Sequence, residues 1–376
     1  MKYAATILVF CVAALLSLGL VILFSSGMSK GGENYPVMQA AWCGLGILAG
    51  VLVAYADYRQ LKNVSWLLYL AAVLLLVLVL IPGIGVKAGG ARRWLHFAGQ
   101  SFQPSEFAKI ALVVLLAHYG ERYQRFMSAP FRGLVVPGTL IAILLALVFK
   151  EPDWGTTVLL ASVSGIILLV AGVRWRFFFP PIVAAAIAFG ILLVNNETRM
   201  KRVLSWWDPE ATKMDVGYQA WQGMVALGSG GLTGLGLGDS RQKFGYLPEH
   251  ETDFIFAIIG EELGLVATLG ILGAFVLLVA CGVRIAWNAR DTFGLLLGTG
   301  LTFLIGLQAF INIGVVTGTL PNKGLPLPFI SRGGSNLFLM LVCVGLLLSI
   351  ARCADESPGR VPQSKNIDEL AAPQTT

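Results

Sequence analysis

Charge is what this sequence has least of. Only 13% of its 376 residues are Asp, Glu, Lys or Arg, about half the share in an ordinary soluble domain, while 56% are hydrophobic and mean hydropathy is +0.76. Such a chain cannot cover itself with a water-facing surface, so lipid is the expected solvent. Cysteine is also sparse: Cys11, Cys43, Cys281 and Cys343 lie within apolar runs and Cys353 just past the last one, which excludes a disulfide framework. No run alternates with the period of a barrel strand, leaving helices as the spanning element. The first run follows only Lys2 and lacks a small-residue cleavage site, so it reads as a retained helix rather than a removed leader. The net charge of +6 suits anionic lipid headgroups and gives no reason to invoke nucleic acid.

What the sequence has is ten apolar runs, near 4–26, 37–56, 64–82, 104–119, 133–149, 154–173, 177–194, 254–281, 293–318 and 335–351. A span needs about 20 mostly apolar residues, and the fourth, fifth and tenth runs fall short of that. The predicted fold is an all-α integral membrane protein of about ten transmembrane helices, with a large extracytoplasmic loop, about 195–253, between helices 7 and 8. Residues 1–351 form one membrane domain, and 352–376 form a polar tail rich in Pro, Ser and Gln that reads as disordered. With the N-terminus inside, each side carries 13 cations, but six of the outer ones lie in the long loop. Long loops translocate largely regardless of charge, so the remaining bias favours cytoplasmic N- and C-termini. Gly46/Gly50 and Gly294/Gly298 have the small-xxx-small spacing of close helix packing.

Four polar clusters then fall on the outer side. In Gly90 to Lys109, a basic and aromatic loop with Arg92 and Arg93 feeds a helix opened by Pro104, with Glu106 in its first turn. Lys109 lies three residues on, sharing a face with Glu106. A lysine in an apolar helix costs about 3 kcal/mol on insertion scales and usually faces a cavity or a partner; an ion pair at the helix start and a ligand role both remain open. The second cluster, Lys150 to Thr157, holds Asp153, either a functional acid or the cap of the sixth helix.

The third, Asn195 to Asp253, contains the glycine run 228–238, but no Gly-Lys-Ser/Thr follows it and no dinucleotide fingerprint fits. It ends at Asp253, at a helix mouth where backbone donors favour a carboxylate and partial burial opposes them; capping and catalysis are both open. The fourth, Thr319 to Asn336, has three prolines, Lys323 and Arg332, the makings of an anion-binding loop or of a stiff connector. Gln308 and Asn312, four apart on the ninth helix, are placed for interhelical hydrogen bonding.

The segments ARRWLHFAGQSFQPSEFAK, EPDWGTT, GYQAWQGMVALGSGGLTGLGLGDSRQKFGYLPEHETDFIFAIIGEELG and PLPFISRGGSN resemble, in order, the motifs of the SEDS family (shape, elongation, division and sporulation), over about 4–351. Pro321-Asn322-Lys323-Gly324 resembles the division-type branch more than the elongation-type one. Two departures stand out: Arg332 replaces a common Tyr, and Asn336 a frequent Ser.

The resemblance implies a peptidoglycan glycosyltransferase of the bacterial cytoplasmic membrane. It would polymerise lipid II into a β-1,4-linked nascent glycan strand on the outer face, in division or cell-shape maintenance. Its partners would be a class B penicillin-binding protein and other divisome or elongasome membrane proteins. The family's essential aspartate matches Asp253, its sensitive Glu and Lys match Glu106 and Lys109, and the aspartate of its Pro-Asp-x-Gly-Thr motif matches Asp153.

For that reaction, a sugar 4-hydroxyl must lose its proton as it attacks, and a carboxylate base is worth about 10² to 10⁴ in rate; Asp253 is assigned this role. The departing pyrophosphate calls for cations, with Arg92, Arg93, Lys109, Lys323 and Arg332 as candidates. An α-linked donor and a β-linked product imply one inverting displacement without a covalent intermediate. No cofactor is required, although a divalent cation such as Mg²⁺ could bridge pyrophosphate to Asp153 or Glu106. Rival readings are a lipid II flippase, against which stands the lack of any evident pair of broken helices, and a non-catalytic scaffold for the penicillin-binding protein.

Overall fold

The computed structural model describes residues 1–27, 35–88, 91–97, 100–194, 197–248, 251–322 and 324–355. Helices occupy all ten predicted positions: α1 (Lys2–Gly27), α2 (Tyr35–Tyr55), α3 (Leu61–Leu80), α4 (Pro104–Arg122), α5 (Val136–Lys150), α6 (Trp154–Val170), α7 (Phe179–Val194), then α10 (Ile255–Trp287), α11 (Thr292–Val316) and α12 (Gly334–Asp355). The large loop adds α8 (Glu197–Trp207) and α9 (Tyr218–Ser229). Seven of the described helices are long and apolar enough to cross a membrane. α6 and α7, at 17 and 16 residues, are short for a full span, and α4 carries buried charge. The chain is an all-α membrane protein in its spanning part.

Two expectations need correction. The connection before α4 folds into a three-stranded antiparallel sheet of β1 (Gly85–Ala88), β2 (Ala91–Phe97) and β3 (Gln100–Phe102). Past the end of a span, a chain without helical periodicity satisfies its backbone groups by pairing with itself. The sequence starts the polar tail at about 352, yet α12 continues to Asp355; Arg352 is held there by donating to the Tyr55 carbonyl at 2.8 Å. Residues 356–376 lie outside the described part.

The bundle centre is α4, α11 and α12, whose buried faces are the most continuous in the chain. α2 lies flush on α12 because glycines line both sides. A Cβ on Gly345 would sit 2.2 Å from the Gly50 carbonyl oxygen, and one on Gly46 2.6 Å from Leu341. α10 meets α11 similarly, with Gly298 against Ala286.

α10 is not continuous. Gly264 has φ +75° inside it, a conformation natural only to glycine, and it splits off a short first segment carrying Glu261 and Glu262. The glycine run of the large loop fills the break. Leu235 and Gly236 donate to the Glu261 and Glu262 carbonyls, and Leu265 and Val266 donate to Gly231 and Leu232, at 2.9–3.3 Å. Two glycines of the run have no room for a side chain: a Cβ on Gly230 would lie 1.9 Å from the Gly260 oxygen and one on Gly234 2.1 Å from the Glu262 oxygen. A buried ion pair bolts the same region to α1, with Lys243 Nζ 3.0 Å from Glu262 Oε1 and Ser25 Oγ donating to that carboxylate at 2.8 Å.

The opposite end of the bundle is tied by Asp291, the N-cap of α11. It accepts from Tyr58 Oη at 2.6 Å and Lys62 Nζ at 3.0 Å. Burial alone would raise this carboxyl; the Tyr58 hydroxyl, the Lys62 ammonium and the Gly294 amide outweigh it and hold the acid below its ordinary value.

Candidate functional site

Asp253 is half-buried at the end of the bundle opposite Asp291. The N-cap of α10 is Phe254 and supplies no side-chain cap, so Asp253 stands one residue before the cap position. Its carboxylate abuts the backbone of Gly324: a Cβ there would lie 2.6 Å from Oδ2. Any larger residue at 324 would push the acid out of place.

The backbone around Asp253 is strapped to the connection between α11 and α12. The Asp253 carbonyl accepts from Asn312 Nδ2 at 2.8 Å. Ser331 Oγ donates to the Thr252 carbonyl at 2.5 Å, and the Arg332 amide to the Glu251 carbonyl at 2.9 Å. Arg332 Nη1 also meets Glu251 Oε2 at 2.7 Å. Its guanidinium is therefore engaged in holding Glu251. Gln39 on α2 completes the strap, donating to the Ser331 carbonyl at 3.2 Å and accepting from the Gly333 amide at 3.3 Å.

Glu106 and Lys109 do pair, at 2.8 Å, with exposures of 2% and 0% that rule out an exposed surface pair. Pro104 starts α4, and both side chains lie on its buried face. The second Glu106 oxygen accepts from Asn336 Nδ2 at 2.7 Å, and Lys109 also donates to Gln308 Oε1 at 2.9 Å. The asparagine that departs from the family pattern thus completes the shell of this glutamate. A buried charge needs such a shell, because leaving one unpaired costs several kcal/mol.

Asp153 caps α6. Oδ1 accepts from the Thr156 amide at 3.1 Å and Oδ2 from Thr156 Oγ1 at 2.9 Å, with Gln103 Nε2 at 3.5 Å. The capping reading of this residue is the one the geometry supports. Arg93 braces the same turn, donating through Nε to the Glu151 carbonyl at 2.8 Å and through Nη2 to the Pro152 carbonyl at 2.6 Å. Arg92, its neighbour on β2, is half-exposed and makes no ion pair among the described residues. Lys323 lies outside the described residues.

A divalent cation bridging Asp153 or Glu106 does not fit this arrangement. Both oxygens of each carboxylate already accept hydrogen bonds, and the described residues hold no group of three or more His, Cys, Asp or Glu able to take a metal.

Sequence reasoning assigned no role to three residues that matter here. Glu251 anchors Arg332, and its place between two motif residues was the only signal. Gln39 is a polar residue in an apolar run, the usual sign of an interhelical contact. Glu151 is fully buried with neither carboxylate oxygen hydrogen-bonded among the described residues. Burial first, then the charge of Asp153, pushes its pKa up to about 8 against the pull of Arg93.

The fold and site together define a polytopic membrane protein with a hydrogen-bonded group of carboxylates, cations and amides beside Asp253 at one end of its helix bundle. A family model for cell cycle proteins of the FtsW, RodA and SpoVE type matches residues 5–356, and the chain belongs to that family. It is 40% identical over 359 residues to a probable peptidoglycan glycosyltransferase FtsW of Geobacter metallireducens, covering 93% of this chain and 95% of that one. A chain from a peptidoglycan synthase complex superposes with TM-score 0.80 at 29% identity, covering 93% of this chain and 98% of that one. The rod shape determining protein RodA of Thermus thermophilus superposes with TM-score 0.68 at 28% identity, over 93% and 97% of the two chains.

Proposed function

We propose that this chain is a peptidoglycan glycosyltransferase of the division type, polymerising lipid II on the outer face of the cytoplasmic membrane with Asp253 as general base. One observation carries the assignment of the base: among the acids singled out by sequence, Asp253 is the half-buried one, at the mouth of α10, whereas Glu106 and Asp153 are buried. The similarity to an enzyme named for this activity supports the reaction class.

In this reading Asp253 takes the proton of the acceptor 4-hydroxyl as its oxygen bonds to the anomeric carbon of the donor. The undecaprenyl pyrophosphate leaves from the opposite face in the same displacement, so the configuration inverts. Arg92 is the described cation best suited to the departing charge, since Arg93, Lys109 and Arg332 are committed to protein groups; Lys323, beside Gly324 in sequence, is a second candidate. Glu106 and Lys109 then support the site from beneath rather than touch pyrophosphate. We further propose a class B penicillin-binding protein as partner, supported by the similar chain from a peptidoglycan synthase complex.

The test is detergent-purified protein given lipid II, where polymer forms without any membrane to cross, as flipping would require. Asp253→Asn keeps the size of the side chain and removes the base, and should lower polymerisation at least about 10²-fold with unchanged yield and partner binding. Wild-type polymerisation by Asp253→Asn would remove the general-base assignment. Absence of polymer from the wild-type chain in complex with its partner would remove the activity.

A further inference from the structure

We propose that Asn312 and Gln308, on α11, are positioning residues for Asp253, acting through the connection between α11 and α12. The inference rests on Asp253 being the general base and deepens that reading.

Four residues apart, the two amides face the same way, toward the start of that connection. Asn312 spends both amide hydrogens on backbone, donating to the Asp253 carbonyl at 2.8 Å and to the Leu325 carbonyl at 2.7 Å. One side chain therefore fixes the acid's own peptide relative to the residue that follows Gly324, the glycine against which the carboxylate rests. Gln308 repeats the device one step along, donating to the Pro326 carbonyl at 2.9 Å while its oxygen accepts from Lys109. Lys109 is in turn fixed by Glu106, and Glu106 by Asn336 on α12. Hydrogen bonds thus run from α12 through α4 and Gln308 to the Pro326 carbonyl, and the adjacent Leu325 carbonyl is joined through Asn312 to the peptide of Asp253.

The connection itself is held taut at its far side. Phe329 adopts φ +66°, uncommon for a bulky residue, and is 2% exposed. A Cβ on Gly19 of α1 would lie 2.8 Å from the Ile330 Cα. Leu327 donates its amide to Ser331 Oγ, which donates onward to Thr252. With its far side pinned against α1 and its near side held by two α11 amides, the described part of the connection is held from both sides, and the peptide of Asp253 is held with it. Gln308 and Asn312 are 0% and 1% exposed, which leaves them no route to touch substrate directly. Reacting groups tolerate little displacement; a shift of about 1 Å can cost on the order of 10²-fold in rate.

The experiment compares purified, monodisperse variants for kcat, for KM toward lipid II and for thermal midpoint. Asn312→Leu removes both bonds and keeps the branching and the number of heavy atoms. Gln308→Glu keeps an oxygen facing Lys109, removes the donor to Pro326 and adds a carboxylate beside that ammonium. Each should lower kcat at least tenfold while KM stays within threefold. In an Asp253→Glu background, where the carboxylate is already displaced, adding Asn312→Leu should cost less than threefold more.

Wild-type kcat in a folded Asn312→Leu, a loss carried wholly by KM, or the same tenfold loss in the Asp253→Glu background would each overturn the proposal. Should Asn312→Leu not fold, Gln308→Glu decides by the same kcat and KM criteria. A failure of the general-base reading has a different signature: Asp253→Asn would itself retain wild-type kcat.

Discussion

The ammonium of Lys109 donates to the side-chain oxygen of Gln308 at 2.9 Å, joining α4 to α11 where neither residue has any solvent exposure. The spacing of Glu106 and Lys109 in sequence gives the ion pair alone. This third partner turns the pair from a helix-start device into the foundation of the loop beside Asp253.

Either partner removed singly leaves the other charge buried without its mate, which costs about 3–5 kcal/mol. Glu106→Gln and Lys109→Met should therefore lower both the thermal midpoint and polymerisation, and the double variant Glu106→Gln/Lys109→Met should recover much of the midpoint without recovering turnover. Full turnover in the folded double variant would reduce the pair to structure.

Glu151 should make stability depend on pH. In the unfolded chain its carboxyl ionises near the ordinary value of 4.5, whereas in the fold it holds its proton to about 8. Between those values the unfolded state binds fewer protons, so this group lowers stability progressively as pH rises. By pH 7 the loss is on the order of 3 kcal/mol. Glu151→Gln cannot ionise, so its thermal midpoint relative to wild type should rise between pH 5 and pH 8. A constant difference across that range would mean that the wild-type acid is already ionised in the fold.

At the contact of α2 and α12 there is no space for a methyl group on Gly345, 2.2 Å from the Gly50 oxygen. Gly345→Ala forces two backbones apart, and overpacking of this kind costs about 1–3 kcal/mol. Purified Gly345→Ala should melt several degrees lower, whereas Gly44→Ala, with nothing within 4 Å of the new Cβ, should melt like wild type. Equal midpoints for the two would contradict the packing.

Sidedness can be read by labelling, since all five cysteines are buried. A cysteine at Met214, 87% exposed in the large loop, should react with an impermeant reagent added outside the cell, and one at exposed Gln124 should not. The reverse pattern would turn the site toward the cytoplasm, away from the proposed reaction.

Sequence alone was enough for the ten helices, because lipid tolerates only long apolar segments that satisfy their own backbone, and that demand is written locally. It also singled out the residues of the site, since charge is scarce in such a chain and each charged residue in an apolar run needs a reason. Asp253, Glu106, Lys109 and Asp153 could all be named this way. Their roles could not be told apart, because a cap, an ion pair and a base share residue types and helix-end positions. Only the tertiary structure gave Asp153 to α6 as its cap, Arg332 to Glu251 and Asn336 to Glu106, contacts that span 81 and 230 residues in the latter two cases. The glycine run 228–238 shows the same limit. Its composition fits many backbones, and it became the filling of a broken helix only because Gly264 opened α10 at the place where that run returns.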